Sequence, residues 1–160
     1  MNALLARLER WLLALLAALL AFITLGVFIQ VLLRYTLAKS FLWGEELSLF
    51  AFAWCVYLGA AICVWRRSHF AFDLFADRLK GRAAGAQSLV VNLAVLLVAV
   101  VMLKDGWAFC ELSRQRLSPA LGITLLIPTS VIPLSGALMV LAALAQVWHD
   151  LRRIVTGQPA

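Results

Sequence analysis

Four long apolar stretches, separated by short segments that carry most of the charge, set the pattern along this chain. They run from about Trp11 to Leu33, Leu47 to Trp65, Ala83 to Leu103 and Ile127 to Trp148. At about 1.5 Å rise per residue, each suffices to cross a hydrocarbon layer of about 30 Å. Apolar residues lie all round each stretch, as in a helix that meets lipid or other helices on every side. The pattern therefore predicts an all-α integral membrane fold, with four transmembrane helices in a single domain over residues 1–160. Between the second and third stretches, Phe72, Phe75, Ala76 and Leu79 fall at i, i+3, i+4 and i+7, with Asp73, Asp77 and Lys80 opposite. This amphipathic run predicts a short interfacial helix near 70–80. The third helix is expected to extend past the bilayer, because Lys104 to Arg116 contains one Gly and no Pro. Glu111 and Arg114 stand there at i,i+3, the spacing of a helical ion pair. Ser118-Pro119 then breaks the helix, and Gly122 gives a second turn signal.

Composition narrows the function classes. Hydrophobic residues make up 64% of the chain and charged residues 14%, and the mean hydropathy is +0.97. A water-soluble fold of this size has too much surface to carry so few charges, so soluble enzymes, disordered tails and nucleic-acid modules are poor readings. The net charge of +6 reads instead as cytoplasmic loops and contacts with lipid headgroups. The N-terminus, the middle loop and the C-terminus together carry nine basic residues, and the other two loops carry five. By the positive-inside rule both termini and the middle loop are cytoplasmic. The first stretch has a basic start but too long an apolar core for a signal peptide. Thr36-Leu37-Ala38 makes a poor cleavage site, so an uncleaved anchor is expected.

Several residues stand out inside this frame. Ala51, Cys55, Gly59 and Cys63 recur at i+4 on the second stretch, a stripe of small side chains suited to close helix packing in lipid. Cys55 and Cys63 lie about 12 Å apart on one helix, beyond disulfide reach. Ala14, Ala17, Ala18 and Ala21 make a similar patch on the first stretch. Arg34 ends that stretch, and Trp43, Glu45 and Glu46 open the next. These are either ordinary boundary residues or a membrane-edge ion pair of Arg34 with Glu45 or Glu46. Arg66, Arg67 and His69 close the second helix, where cations suit the helix C-terminus and anionic headgroups, and His69 with Asp73 reads as a capping pair. Asn92 reads as the donor of one interhelical hydrogen bond. Pro128 and Pro133 kink or delay the fourth helix. No metal cluster, nucleotide motif or nucleophile is visible, so neither an enzyme nor a bound cofactor is expected in this chain.

The order of Arg34-Tyr35, Trp43-Gly44-Glu45-Glu46-Leu47, Gly59-Ala60-Ala61 and Arg66-Arg67-Ser68-His69 with Asp73 resembles the DctQ-like small membrane subunit of tripartite ATP-independent periplasmic (TRAP) transporters. Ser118-Pro119-Ala120-Leu121-Gly122-Ile123, followed by Pro128 and Pro133, resembles the segment before the fourth helix in that family. Ser68 departs from the pattern, where glycine is more usual. The resemblance implies a large membrane subunit of about a dozen helices, a periplasmic binding protein that delivers an organic acid such as a dicarboxylate, and sodium-driven uptake in a bacterial inner membrane. It places the sodium and substrate sites in the large subunit and makes this chain a scaffold. Lys39, Lys104, Glu111, Arg114 and Arg116 are then candidates for docking the binding protein. The polar end at Ala160 leads to the expectation that the large subunit is a separate chain. The rival reading is an independent small exporter, a homo-oligomer with Glu45 or Glu46 as its proton-coupling group.

Overall fold

The computed structural model describes residues 2–37, 42–66 and 82–156. Within them the chain forms α1 (Asn2–Leu37), α2 (Leu42–Trp65), α3 (Arg82–Ser113), a single turn α4 (Leu126–Thr129) and α5 (Val131–Thr156). Among the described residues, four segments are long and apolar enough to cross a membrane: Glu9–Thr36, Leu42–Trp65, Gln87–Ser113 and Leu126–Arg152. The four-helix membrane architecture is thus the one that the hydrophobic pattern predicts. The first helix begins earlier than its apolar run, because Arg7, Glu9 and Arg10 continue it into the polar layer. The third continues ten residues beyond Leu103, as its lack of proline predicts. The interfacial helix expected near 70–80 lies outside the described residues, as do Lys39, Arg67, His69 and Asp73.

The helices form a row rather than a ring. α3 packs most extensively on α5, α5 also packs on α2, and α2 packs on α1. The apolar core lies where α2, α3 and α5 meet, at Ala61, Val64, Ala99, Met139 and Ala142. Pro128 and Pro133 divide the start of the fourth span into the α4 turn and α5. Each proline sits in the first turn of its helix, where no intrahelical partner waits for the N–H it lacks.

The α3–α5 contact is a backbone contact. A Cβ on Gly136 would lie 2.9 Å from the Leu103 nitrogen and 3.1 Å from its Cα. A Cβ on Gly106 would lie 2.8 Å from Ile132 Cγ2 and 3.1 Å from the Pro133 nitrogen. In lipid, where no hydrophobic effect drives helices together, such close approach is what supplies packing energy. Between these glycines Val131 and Ser135 are fully buried, and Ser135 Oγ donates to the Ile132 carbonyl (2.9 Å).

The α1–α2 contact is built from side chains. Half-buried residues of α1 recur at Glu9, Leu12, Leu16, Leu19, Ile23, Gly26, Gln30 and Leu33, alternately three and four apart, with Leu13 beside them. They meet an α2 seam of the same period: Gly44, Ser48, Ala51, Cys55, Leu58 and Ile62. This average of 3.5 is the period that keeps two helices facing each other along their length. The small-residue stripe read at strict i+4 faces α1 only in its first part. Each i+4 step overshoots a full turn by about 40°, so the row spirals out of the interface. Ala51 is buried, Cys55 and Gly59 are half-buried, and Cys63 is exposed. Ala14, Ala17, Ala18 and Ala21 are likewise exposed, on the face of α1 turned away from α2.

Candidate functional site

Polar contacts gather at the two ends of the bundle. At one end, α3 stops at Ser113, and the chain turns through Arg114 to Leu125 before re-entering the bundle. Arg116 and Leu125 are joined by a backbone hydrogen bond (2.9 Å), Ser118 N–H donates to the Ile123 carbonyl (2.8 Å), and Leu117 bridges antiparallel to Thr124. The tip of this miniature hairpin is Ser118 to Gly122. Gly122 N–H donates back to the Ser118 carbonyl (3.0 Å), and Gly122 adopts φ +66°, a left-handed conformation that suits glycine.

Glu46, one turn into α2, holds this tip. Its Oε2 accepts the successive backbone N–H groups of Ala120 (3.0 Å) and Leu121 (3.1 Å). Two adjacent N–H groups converging on one carboxylate oxygen form a small anion nest, and the negative charge strengthens both bonds. Leu121 N–H is shared with Ser118 Oγ (3.1 Å), and Ser118 is itself buried. The ion pair considered between Arg34 and Glu45 or Glu46 does not form among the described residues: Glu46 turns toward the loop. Arg34 and Glu45 instead line one groove of about 490 Å³ between α1 and α2. Gln30 Nε2 donates to Ser48 Oγ (3.3 Å) beside it, and Ser48 Oγ donates to the Gly44 carbonyl (2.9 Å). Gly44 leaves room for the Gln30 amide, whose nitrogen would lie 3.0 Å from a Cβ there.

Among the candidates for docking, Glu111, Arg114 and Arg116 are exposed at this same end, and Lys104 is exposed further back, within the third span. Glu111 and Arg114 face each other at 3.6 Å. Trp43 is half exposed, and Pro119 stands exposed at the tip of the loop. Pro128 and Pro133 are both buried. Cys110 is buried with its Sγ 3.7 Å from Thr129 Oγ1, which ties α3 to the α4 turn.

The opposite end holds a cluster that sequence reasoning only half found. Asn92 Nδ2 donates to Asp150 Oδ2 at 2.6 Å, and Ser88 Oγ donates to the same oxygen at 2.8 Å. Asp150 is 3% exposed, so its charge is held between α3 and α5. One turn back on α5, Gln146 Nε2 donates to the Val64 carbonyl near the end of α2 (2.6 Å), where the helix leaves carbonyls without internal partners. Arg66, just beyond, donates through Nε to Glu9 Oε1 of α1 (2.6 Å). Asp150, Gln146 and Ser88 were missed. The available signal was register: Ser135, Gln146 and Asp150 fall on the same face of α5 as Val131, Met139 and Ala142. Among the described residues no group of three His, Cys, Asp or Glu side chains stands close enough to hold a metal ion.

Comparison with known proteins places this arrangement. The profile of the tripartite ATP-independent periplasmic transporters, DctQ component, matches residues 23–153. The isethionate TRAP transporter permease protein of Oleidesulfovibrio alaskensis is 31% identical over 120 residues, covering 72% of this chain and 18% of that protein. The C4-dicarboxylate TRAP transporter small permease protein of Vibrio cholerae is 30% identical over 86 residues, 54% of this chain and 37% of that protein. The sialic acid TRAP transporter small permease protein of the same organism is 28% identical over 141 residues, 88% of this chain and 79% of that protein. The chain thus spans about a fifth and about a third of the length of the first two relatives. The profile match covers the second half of the first membrane span, the other three spans, the Glu46-bound loop and the Asp150 cluster, and by it the chain belongs to the DctQ component family of TRAP transporters.

Proposed function

We propose that this chain is the small membrane subunit of a TRAP transporter of the bacterial inner membrane. It serves as a static scaffold for a large membrane subunit of about a dozen helices. The family match over residues 23–153 carries this reading. A second observation supports it: no described residue of α1 is fully buried, and the face that carries Ala14, Ala17, Ala18 and Ala21 is exposed among the described residues. The substrate is a small organic anion, the class to which C4-dicarboxylate, sialic acid and isethionate, named for the relatives, all belong. A periplasmic binding protein delivers it, and a sodium gradient drives uptake through ion sites in the large subunit. Both termini lie in the cytoplasm. The loop latched by Glu46 then lies on the periplasmic side with Arg114 and Arg116, where the binding protein docks.

Affinity purification of the chain from its native membrane in mild detergent, with mass spectrometry of what accompanies it, tests the reading. A stoichiometric polytopic partner is expected. A homo-oligomer that confers transport alone would overturn the proposal in favour of a small exporter. In that alternative the coupling carboxylate would be Glu45, since Glu46 is engaged by two backbone N–H groups.

A further inference from the structure

The groove between α1 and α2 is built like a lipid, with a charged end and an apolar length. At its mouth stand Arg34, the last cation of α1, and Glu45, in the first turn of α2. Both line the same groove, and no ion pair joins them among the described residues. Below them, past the bonded Gln30–Ser48 pair on its floor, the walls are Ile23, Val27 and Val31 on one side and Leu49 and Phe52 on the other. Val27, Val31, Leu49 and Phe52 are each more than two-fifths exposed, so the groove opens to the surrounding membrane. From Ile23 to Arg34 it descends about 16 Å at the rise of an α-helix. That is about half of a 30 Å hydrocarbon layer, the depth of a single leaflet. Its volume of about 490 Å³ falls in the range of roughly 300–1,000 Å³ typical of ligand pockets.

From this juxtaposition we propose that the groove binds one diacyl phospholipid with a phosphoethanolamine headgroup. The Arg34 guanidinium receives the phosphate, whose oxygens match its fork of donors. The Glu45 carboxylate receives the primary ammonium. One acyl chain lies along Val27, Val31, Leu49 and Phe52. Two opposite charges held apart on one rim complement a zwitterion better than a purely anionic headgroup, for which Glu45 is repulsive. The site needs only the membrane and the α1–α2 hairpin, so it stands or falls independently of the transport reading.

The test is native mass spectrometry of the full chain released from nanodiscs that contain dioleoyl phosphatidylethanolamine and dioleoyl phosphatidylglycerol in equal amounts. The wild type is expected to retain one phosphatidylethanolamine in preference to phosphatidylglycerol. Arg34→Gln lowers retention of both lipids about fivefold, the scale of one exposed charged contact. Glu45→Gln lowers phosphatidylethanolamine retention, relieves the repulsion of phosphatidylglycerol, and so abolishes or reverses the preference. Glu45 is exposed and glutamine matches its shape, so this variant folds and decides the question even if Arg34→Gln is lost to misfolding. Retention of the two lipids in their bilayer ratio by the wild type would overturn the proposal. So would an unchanged preference in Glu45→Gln. A photoreactive side chain at position 27 that crosslinks in native membranes to a polypeptide rather than to lipid would assign the groove to a partner subunit instead.

Discussion

The two hairpins of this bundle are held by different means. In α3–α5 the backbones touch at Gly106 and Gly136, and a buried carboxylate, Asp150, bonds across the interface to Asn92 and Ser88. In α1–α2 side chains interlock at a coiled-coil period, with a weak polar contact from Gln30 to Ser48 and a partly exposed ion pair from Arg66 to Glu9. The first interface tolerates almost no change of shape. The second is adjustable and, among the described residues, leaves one face of α1 exposed. The scaffold role proposed above would use both properties: a rigid half that keeps its own form, and a half with surface left over for something else.

The largest effect in breaking this contrast is expected from Gly136→Leu. Its side chain would meet the Leu103 backbone, which cannot step aside, and α3 and α5 would separate. Overpacking typically costs about 1–3 kcal/mol and more where backbone must move, so folded protein is expected to disappear from detergent extracts judged by size-exclusion chromatography. Next comes Asp150→Ala, which leaves the Asn92 and Ser88 donors facing an empty acceptor position. A loss of about 1–3 kcal/mol, read as a drop in thermal midpoint, is expected. Equal midpoints for Asp150→Ala and wild type would show that the cluster adds nothing to the hairpin.

Glu46→Ala acts on the loop and spares the helices. Hydrogen exchange at the Ala120 and Leu121 amides is expected to accelerate about tenfold, the equivalent of 1.4 kcal/mol, while the thermal midpoint moves little. A smaller change still is expected of Ala18→Leu on the bare face of α1, within about 0.5 kcal/mol of wild type. The same variant is expected to weaken co-purification of the large subunit if that face is the one it covers. A large loss of stability in the chain alone would mean that the face is not bare.

Much of this was legible in the sequence. The four spans follow from apolar runs that only a membrane accommodates, and the extension of α3 to Ser113 follows from the absence of proline. Asn92 attracted notice because an amide inside a span needs a partner. Its partner did not, because Asp150 lies two residues beyond the apolar run that ends at Trp148 and looks like a tail residue. The small-residue stripe coincides with the α1 seam at Ala51 and Cys55 and departs from it by Cys63, because a spacing of four overshoots the helical repeat. The Gly106 and Gly136 contact went unread since a lone glycine in a span is equally compatible with lipid. The choice of Glu46 by the loop depends on a tip conformation at Gly122 that is settled only when residues far apart in the chain meet.

The position of α5 in the row has a consequence for biosynthesis. Two of the three principal helix interfaces, with α3 and with α2, use this helix, and it is the last of the four to emerge from the ribosome. Until then α2 can pair with α1 through its heptad seam, but the Val64 carbonyl has no Gln146 and Asn92 has no Asp150. A nascent chain stalled before Val131 would therefore present unmatched polar groups at the membrane edge, the kind of signal by which membrane quality control distinguishes a finished subunit from an unfinished one.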